Sequence, residues 1–170
     1  VRFFVLISGL PASGKSTLGR ELAAALGLPL IDKDEILESL FDSMRGDRRT
    51  LSRESDVLFA RAAAQSTGAI LVSHWHTPEM PGNSGTPLPS VQPLINVHCV
   101  CDWRIAAERF LQRERHSGHR DRDRSRDEVI ESIRRNAQTS DLGIRPRIEV
   151  DTSREWNIEE IAAEIRGYML

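Results

Sequence analysis

Gly9-Leu10-Pro11-Ala12-Ser13-Gly14-Lys15-Ser16, with Thr17 behind it, is the segment from which the rest of the chain can be read. It fits the pattern G-x-x-x-x-G-K-[ST] in full. Ordinary residue frequencies make a chance match in a chain of this length roughly one in a few hundred. The context agrees: Arg2–Ser8 is a nearly continuous apolar strand before it, and Ser16–Leu26 carries a helical stripe after it, closed by Gly27. Each position has a chemical reason. Glycines let main-chain N–H groups turn inward around phosphate oxygens, and the helix beginning near Ser16 aims its positive dipole end at the same oxygens. Lys15 reaches the outer phosphates, and the Ser16 hydroxyl has the position of a Mg²⁺ ligand. Gly9, Pro11, Ala12, Ser13, Gly14, Lys15, Ser16 and Thr17 are therefore the expected nucleotide-binding residues.

Working outward, short apolar runs alternate with helical patterns. Leu28–Ile31, Ala69–Ser73, Leu94–Val100 and Arg147–Val150 read as four further strands. Helices are expected over Ile36–Met44, Ser52–Thr67, from Asp102 through Phe110, from the capping box Ser125-Arg126-Asp127-Glu128 to Ala137, and from Asn157 to Met169. Five strands alternating with helices give a three-layer α/β/α fold with a five-stranded parallel sheet. The 170 residues suit a single domain. Two stretches break the rhythm: the Pro-rich connection 77–93, and the mixed-charge run His116-Ser117-Gly118-His119-Arg120-Asp121-Arg122-Asp123-Arg124.

A formal net charge of −2 with 28% charged and 39% hydrophobic residues describes a soluble globular chain. It gives no sign of a general nucleic-acid binder. No apolar run reaches the roughly 18 residues of a membrane span, and the opening residues read as a buried strand rather than a leader. The two cysteines, Cys99 and Cys101, stand one residue apart on a strand, an awkward spacing for a mutual disulfide. Reduced thiols and a cytoplasmic location are expected. The only two lysines are Lys15, in the loop, and Lys33, between two aspartates.

A phosphate loop alone does not separate kinases from hydrolases. The second decisive stretch is Ile31-Asp32-Lys33-Asp34-Glu35, at the carboxyl end of the second strand. A carboxylate there can take the proton of an attacking hydroxyl or support Mg²⁺. Asp34 is assigned as the base and Asp32 as metal or substrate support. Either aspartate also has the position of an N-cap for the next helix. Arginines after the fourth strand can neutralise a phosphoryl group in flight while a closing segment excludes water. Arg113 and Arg120 are the expected catalytic lid arginines over about residues 113–126. Arg109, four residues before Arg113 and on the same helical face, is a third phosphate contact. His74-Trp75-His76 ends the third strand and is expected to line the acceptor pocket by stacking and hydrogen bonding; a His-x-His metal pair is the alternative. His98 reads as structural. Arg154, after the last strand, or Arg113 is placed against the base of the nucleotide.

The first loop together with Asp32-Lys33-Asp34 resembles the small P-loop kinases related to polynucleotide 5′-kinase, chloramphenicol phosphotransferase and the zeta toxins. The arginine-bearing stretch is similar to the lid of gluconokinase-like enzymes. The resemblance implies a P-loop NTPase fold, ATP and Mg²⁺ as cofactors, Asp34 as the base toward the acceptor hydroxyl, and a lid that supplies arginine. Two departures shape the expected acceptor. No hydrophobic run ends in an acidic pair, which argues against a motor ATPase. Ile36 and Leu37 follow where polynucleotide kinases place an arginine, which argues against a nucleic-acid end. The expected function is phosphoryl transfer from ATP to the hydroxyl of a small molecule. The alternatives are an ATP-switched binding module and a kinase of a nucleic-acid end or a nucleotide sugar. ATP rather than GTP follows from the absence of an N-K-x-D-like signature. The oligomeric state leaves no trace in the sequence.

Overall fold

The computed structural model describes residues 3–76, 85–119, 123–138 and 141–169. Its five strands are β1 (Phe3–Gly9), β2 (Leu30–Asp32), β3 (Gly68–Val72), β4 (Leu94–Val100) and β5 (Arg147–Asp151). They form one parallel sheet in the order β2-β3-β1-β4-β5. The helices are α1 (Lys15–Leu26), α2 (Lys33–Ser43), α3 (Arg48–Gln65), α4 (Trp103–Gln112), α5 (Arg126–Asn136) and α6 (Ile158–Gly167), with a 3₁₀ turn at Ser117–His119. This is the expected three-layer α/β/α P-loop fold. Among the described residues no helix is long and apolar enough to cross a membrane.

Side-chain alternation along β1 builds both layers. Phe3, Val5 and Ile7 point into a core shared with Leu18 and Leu22 of α1 and Ala162 and Ile165 of α6. Phe4 and Leu6 point the other way, into a core with Phe59 and Ala63 of α3 and with Trp75. A strand buried on both faces needs the unbroken apolar run that the sequence has there. Two smaller cores carry the helices around the site. Leu37, Leu40 and Leu51 join α2 to α3, and Leu10, Ala106, Phe110, Val129 and Ile133 join α4, α5 and the phosphate loop.

Among the boundaries that differ from expectation, three have clear local reasons. Arg2 lies outside the described residues, and β1 continues to Gly9. β2 starts at Leu30 because Pro29 has no N–H to give; its carbonyl instead accepts from the Ile70 N–H at 2.9 Å. α3 starts at Arg48, a turn before the expected Ser52. Asp47 caps it, accepting from the Thr50 N–H at 3.1 Å and the Thr50 hydroxyl at 2.7 Å. The other caps fall where the side chains dictate: Asp102 on α4, the Ser125–Glu128 box on α5 and Asn157 on α6.

With β1 central, the chain first runs outward to β2, returns through β3 and then crosses to β4 and β5. The phosphate loop follows β1 and α2 follows β2, so both begin at the carboxyl edge of the sheet. Ligands of open α/β sheets sit in that crevice.

Candidate nucleotide and acceptor site

The loop Leu10–Gly14 is built on unusual backbone. Gly9, Ala12 and Gly14 take φ of 137°, 60° and 94°, and a non-glycine residue at positive φ is the kind of strain that collects at functional loops. Glycine is required at position 9. A Cβ there would lie 2.8 Å from the Cys99 carbonyl oxygen and 2.8 Å from Ser13 Oγ, because β1 and β4 meet the loop at that point. Gly14 is the N-cap of α1 and offers no side-chain cap, so the first N–H groups of the helix stay open toward the cleft. The Lys15 ammonium folds back over the loop, donating to the carbonyls of Gly9 at 3.0 Å and Leu10 at 2.7 Å. Its burial lowers its pKa to about 8.

Across the cleft, the Ser16 hydroxyl donates to Asp32 Oδ2 at 2.8 Å. Asp32 Oδ1 accepts from the Asp34 N–H at 2.9 Å and caps α2. Asp32 thus takes the N-cap position that its sequence allowed, and ends β2 as a buried carboxylate facing Ser16. Burial raises its pKa, against the pull of the Ser16 hydrogen bond. A hydroxyl and a carboxylate side by side are hard oxygen donors of the kind Mg²⁺ takes, usually with waters and phosphates completing its shell. Lys33, between the two aspartates in sequence, pairs with Asp56 of α3 at 3.0 Å and also lines the cleft.

These groups line one cleft of about 670 Å³. Lys15, Ser16, Asp32 and Asp34 occupy its middle. On one side stand Arg109, Phe110, Arg113, Thr152 and Trp156. Arg109 donates to the Thr152 carbonyl at 3.0 Å, and the Arg113 guanidinium lies 4.3 Å from the centre of the Phe110 ring. On the other side stand Leu37, Arg48, Ser52, His74, Arg115 and His119. His74 is uncharged near neutrality: burial, then the nearby Lys15 charge, lower its pKa to about 4.

Arg115, His119, Arg48 and Arg124 line the cleft without having stood out as site residues in the sequence. Arg115 pairs with Asp34, and His119 Nε2 donates to Glu38 Oε1 at 2.8 Å, in each case across 81 residues of chain. No local spacing announces a contact that only the fold creates.

Other expected residues lie elsewhere. Trp75 is a core residue, 4% exposed; its indole N–H donates to the Ile7 carbonyl at 2.7 Å and its ring meets Phe59 edge-on. A tryptophan held from both its ring and its N–H cannot stack on an acceptor. His76 faces a separate groove with Arg49, Arg53 and Pro87. Arg154 pairs with Asp151 at 2.9 Å and stands in solvent, outside the wall that Thr152 and Trp156 complete. Arg120 lies outside the described residues, as do residues 77–84. His98 is buried in a polar trio: the Ser8 hydroxyl donates to Asn96 Oδ1 at 2.7 Å, so the 2.8 Å contact with His98 uses the ring's Nδ1–H as donor. Cys99 and Cys101 are free thiols, and burial pushes Cys99 up to about 11. Among the described residues no three His, Cys, Asp or Glu side chains gather as a metal cage, so His74 and His76 have no third ligand there.

Residues 4–77, from β1 to just past β3, match the AAA_33 family, described as an AAA domain. The shikimate kinase of Mycobacterium ulcerans is 32% identical over 108 residues, which are 64% of this chain and 57% of that protein. That of Paracidovorax citrulli is 50% identical over 52 residues, 30% of this chain and 27% of the other. The chain thus spans less than two thirds of the length of these curated relatives. Among solved structures, a protein from Chloroflexus aurantiacus whose designation as a kinase is itself an inference is 25% identical. It superposes with a TM-score of 0.77 over 98% of both chains. A Sinorhizobium meliloti gluconokinase has the same fold at 16% identity, with a TM-score of 0.56 over 96% of this chain and 89% of its own. The chain has the fold of the P-loop kinases.

Proposed function

We propose that this chain is a kinase that moves the γ-phosphoryl group of ATP, with Mg²⁺, to a hydroxyl of a small molecule. The observation that carries the reading is the single cleft in which a phosphate loop, a Ser16–Asp32 oxygen pair, the carboxylate of Asp34 and the arginines Arg109 and Arg113 converge. The two curated relatives named above are shikimate kinases, which agrees with that chemistry.

The roles follow from position. Main-chain N–H groups of the loop and the Lys15 ammonium hold the triphosphate. Thr152, Trp156 and Phe110 border the nucleoside side, where Arg109 and Arg113 neutralise phosphate charge. Ser16 and Asp32 would hold Mg²⁺, which when bound neutralises phosphate oxygens. The acceptor enters between α2 and α3, beside Leu37, Ser52 and His74. Its hydroxyl proton passes to Asp34, its oxygen bonds to the γ-phosphorus, and the bond from that phosphorus to the bridging oxygen of ADP breaks. A neutral His74 can hydrogen-bond an acceptor hydroxyl without adding charge.

The test is ADP production over a panel of sugars, polyols, antibiotics and nucleosides, with the native chain and Asp34→Asn. Acceptor-dependent ADP that drops at least about 100-fold in the variant, the usual scale of a lost general base, supports the assignment. Turnover untouched by Asp34→Asn removes Asp34 from the role. Tight ATP binding with no turnover on any acceptor would instead favour an ATP-switched binding module.

A further inference from the structure

Three side chains of the segment after α4 meet three carboxylates of α2. Arg115 pairs with Asp34, His119 with Glu38 at 2.8 Å, and His116 with Asp42 at 2.9 Å. Asp34, Glu38 and Asp42 are spaced by four and form one stripe along the helix. The segment is also fixed by main-chain contacts. His116 Nδ1 accepts from the Gly118 N–H at 3.1 Å, so the proton of the neutral ring sits on Nε2, the nitrogen that donates to Asp42. Arg48 Nε donates to the Gly118 carbonyl at 3.0 Å, tying the same turn to α3. Gly118 lies against the face of Phe41 so closely that a Cβ would fall 2.3 Å from a ring carbon. The turn Ser117–His119 is therefore docked on α2 and α3, and it brings the Arg115 guanidinium, with only 18% of its side chain exposed, onto the carboxylate assigned as the base.

We propose that Arg115 is a positioning residue that reserves Asp34 for the acceptor alcohol and withholds it from water. The inference rests on the reading of Asp34 as the base. A guanidinium N–H bonded to Asp34 Oδ2 occupies one of the carboxylate's acceptor sites and holds the group toward the turn. A water in the cleft has little binding energy with which to displace it. An acceptor that fills the space between α2 and α3 has more, and uses part of it to take that oxygen. The leak prevented in this way is hydrolysis: the proton of water would pass to Asp34, its oxygen would bond to the γ-phosphorus, the bond to ADP would break, and inorganic phosphate would leave.

The experiment needs no knowledge of the acceptor. Release of inorganic phosphate from Mg-ATP is measured without acceptor for the full native chain, Arg115→Gln, Arg115→Lys, Asp34→Asn and the double variant Arg115→Gln/Asp34→Asn. Binding of a non-hydrolysable ATP analogue is measured alongside. Arg115→Gln should release phosphate at least about tenfold faster than the native chain, a fraction of what a positioned base supplies. Arg115→Lys should restore suppression, and the double variant should return to background. Gly118→Ala, which lifts the turn off Phe41 from a distance, should raise hydrolysis in the same sense and speed amide exchange over residues 115–119. Damage to the fold would lower hydrolysis, not raise it. The proposal is overturned if Arg115→Gln and Gly118→Ala bind the analogue yet hydrolyse no faster than the native chain. It is equally overturned if the faster hydrolysis persists in the double variant. Failure of the underlying reading shows separately, in the acceptor panel, where acceptor-dependent turnover would survive Asp34→Asn alone.

Discussion

Ser16 and Asp32, sixteen residues apart, meet through a 2.8 Å hydrogen bond that joins the first turn of α1 to the cap of α2. One side of the pair belongs to the phosphate loop and the other to the strand end that leads to Asp34. The pair makes an oxygen-rich corner in the cleft that Lys15 and Asp34 also line.

That corner separates metal binding from folding. Asparagine caps helices about as well as aspartate, so Asp32→Asn keeps the α2 cap. It also removes a carboxylate whose pKa burial has raised, a charge that opposes folding at neutral pH. The melting temperature of Asp32→Asn should equal or exceed that of the native chain, while Mg²⁺ no longer tightens ATP-analogue binding to the same degree. Ser16→Ala should weaken binding of the Mg²⁺ complex by roughly 10–100-fold, a usual scale for perturbing a metal site, and leave binding measured with EDTA nearly unchanged. Calorimetric titrations with and without Mg²⁺ check both.

Lys15 makes the phosphate loop costly to fold. Its folded pKa of about 8 lies below its ordinary value of 10.5, so between those pH values the unfolded chain binds more protons than the folded one. The Lys15 contribution to stability therefore rises with pH across that window and is at its least favourable below about 8. Lys15→Met should be more stable than the native chain at pH 7, by about 1–3 kcal/mol, and should lose nucleotide binding. Above pH 8 the native chain should take up a proton when ATP binds, seen as a binding heat that depends on the ionisation enthalpy of the buffer.

Acid should weaken the fold through two buried imidazoles. His98 and His74 have folded pKa values of about 4, lowered chiefly by burial, against 6.5 in the unfolded chain. Stability should fall as pH drops from 6.5 toward 4, since only the unfolded state takes up those protons, with a slope of at most about 1.4 kcal/mol per pH unit for each group. For His98, protonation would also set a charge beside Arg147 within the Ser8–Asn96 trio. Urea unfolding at several pH values should give a shallower acid limb for His98→Gln than for the native chain.

The fold was legible because its signals are local. A strand–loop–helix motif, apolar runs of strand length and caps such as Asp102, Ser125 and Asn157 each depend on a few neighbouring residues. Asp32 and Asp34 were legible for the same reason, since β2 ends there and α2 begins. Where a role depended on which way a side chain turned, the sequence ran out. Trp75 reads as a pocket aromatic until β1 supplies the carbonyl of Ile7 and α3 supplies Phe59. Arg154 reads as a base-stacking residue until Asp151, three positions earlier, claims it at the surface. Arg115 and His119 reach their carboxylates across 81 residues, and no periodicity encodes that distance.

The central claim is that the phosphate loop and Asp34 act on one phosphoryl group. Its most direct test is to follow the label of [γ-³²P]ATP, with an acceptor from the panel, in the native chain and in Asp34→Asn. The account predicts that the label appears on the acceptor as a phosphate monoester in the native reaction and stays on ATP in the variant. Label recovered only as inorganic phosphate, or transferred equally well by Asp34→Asn, would contradict it.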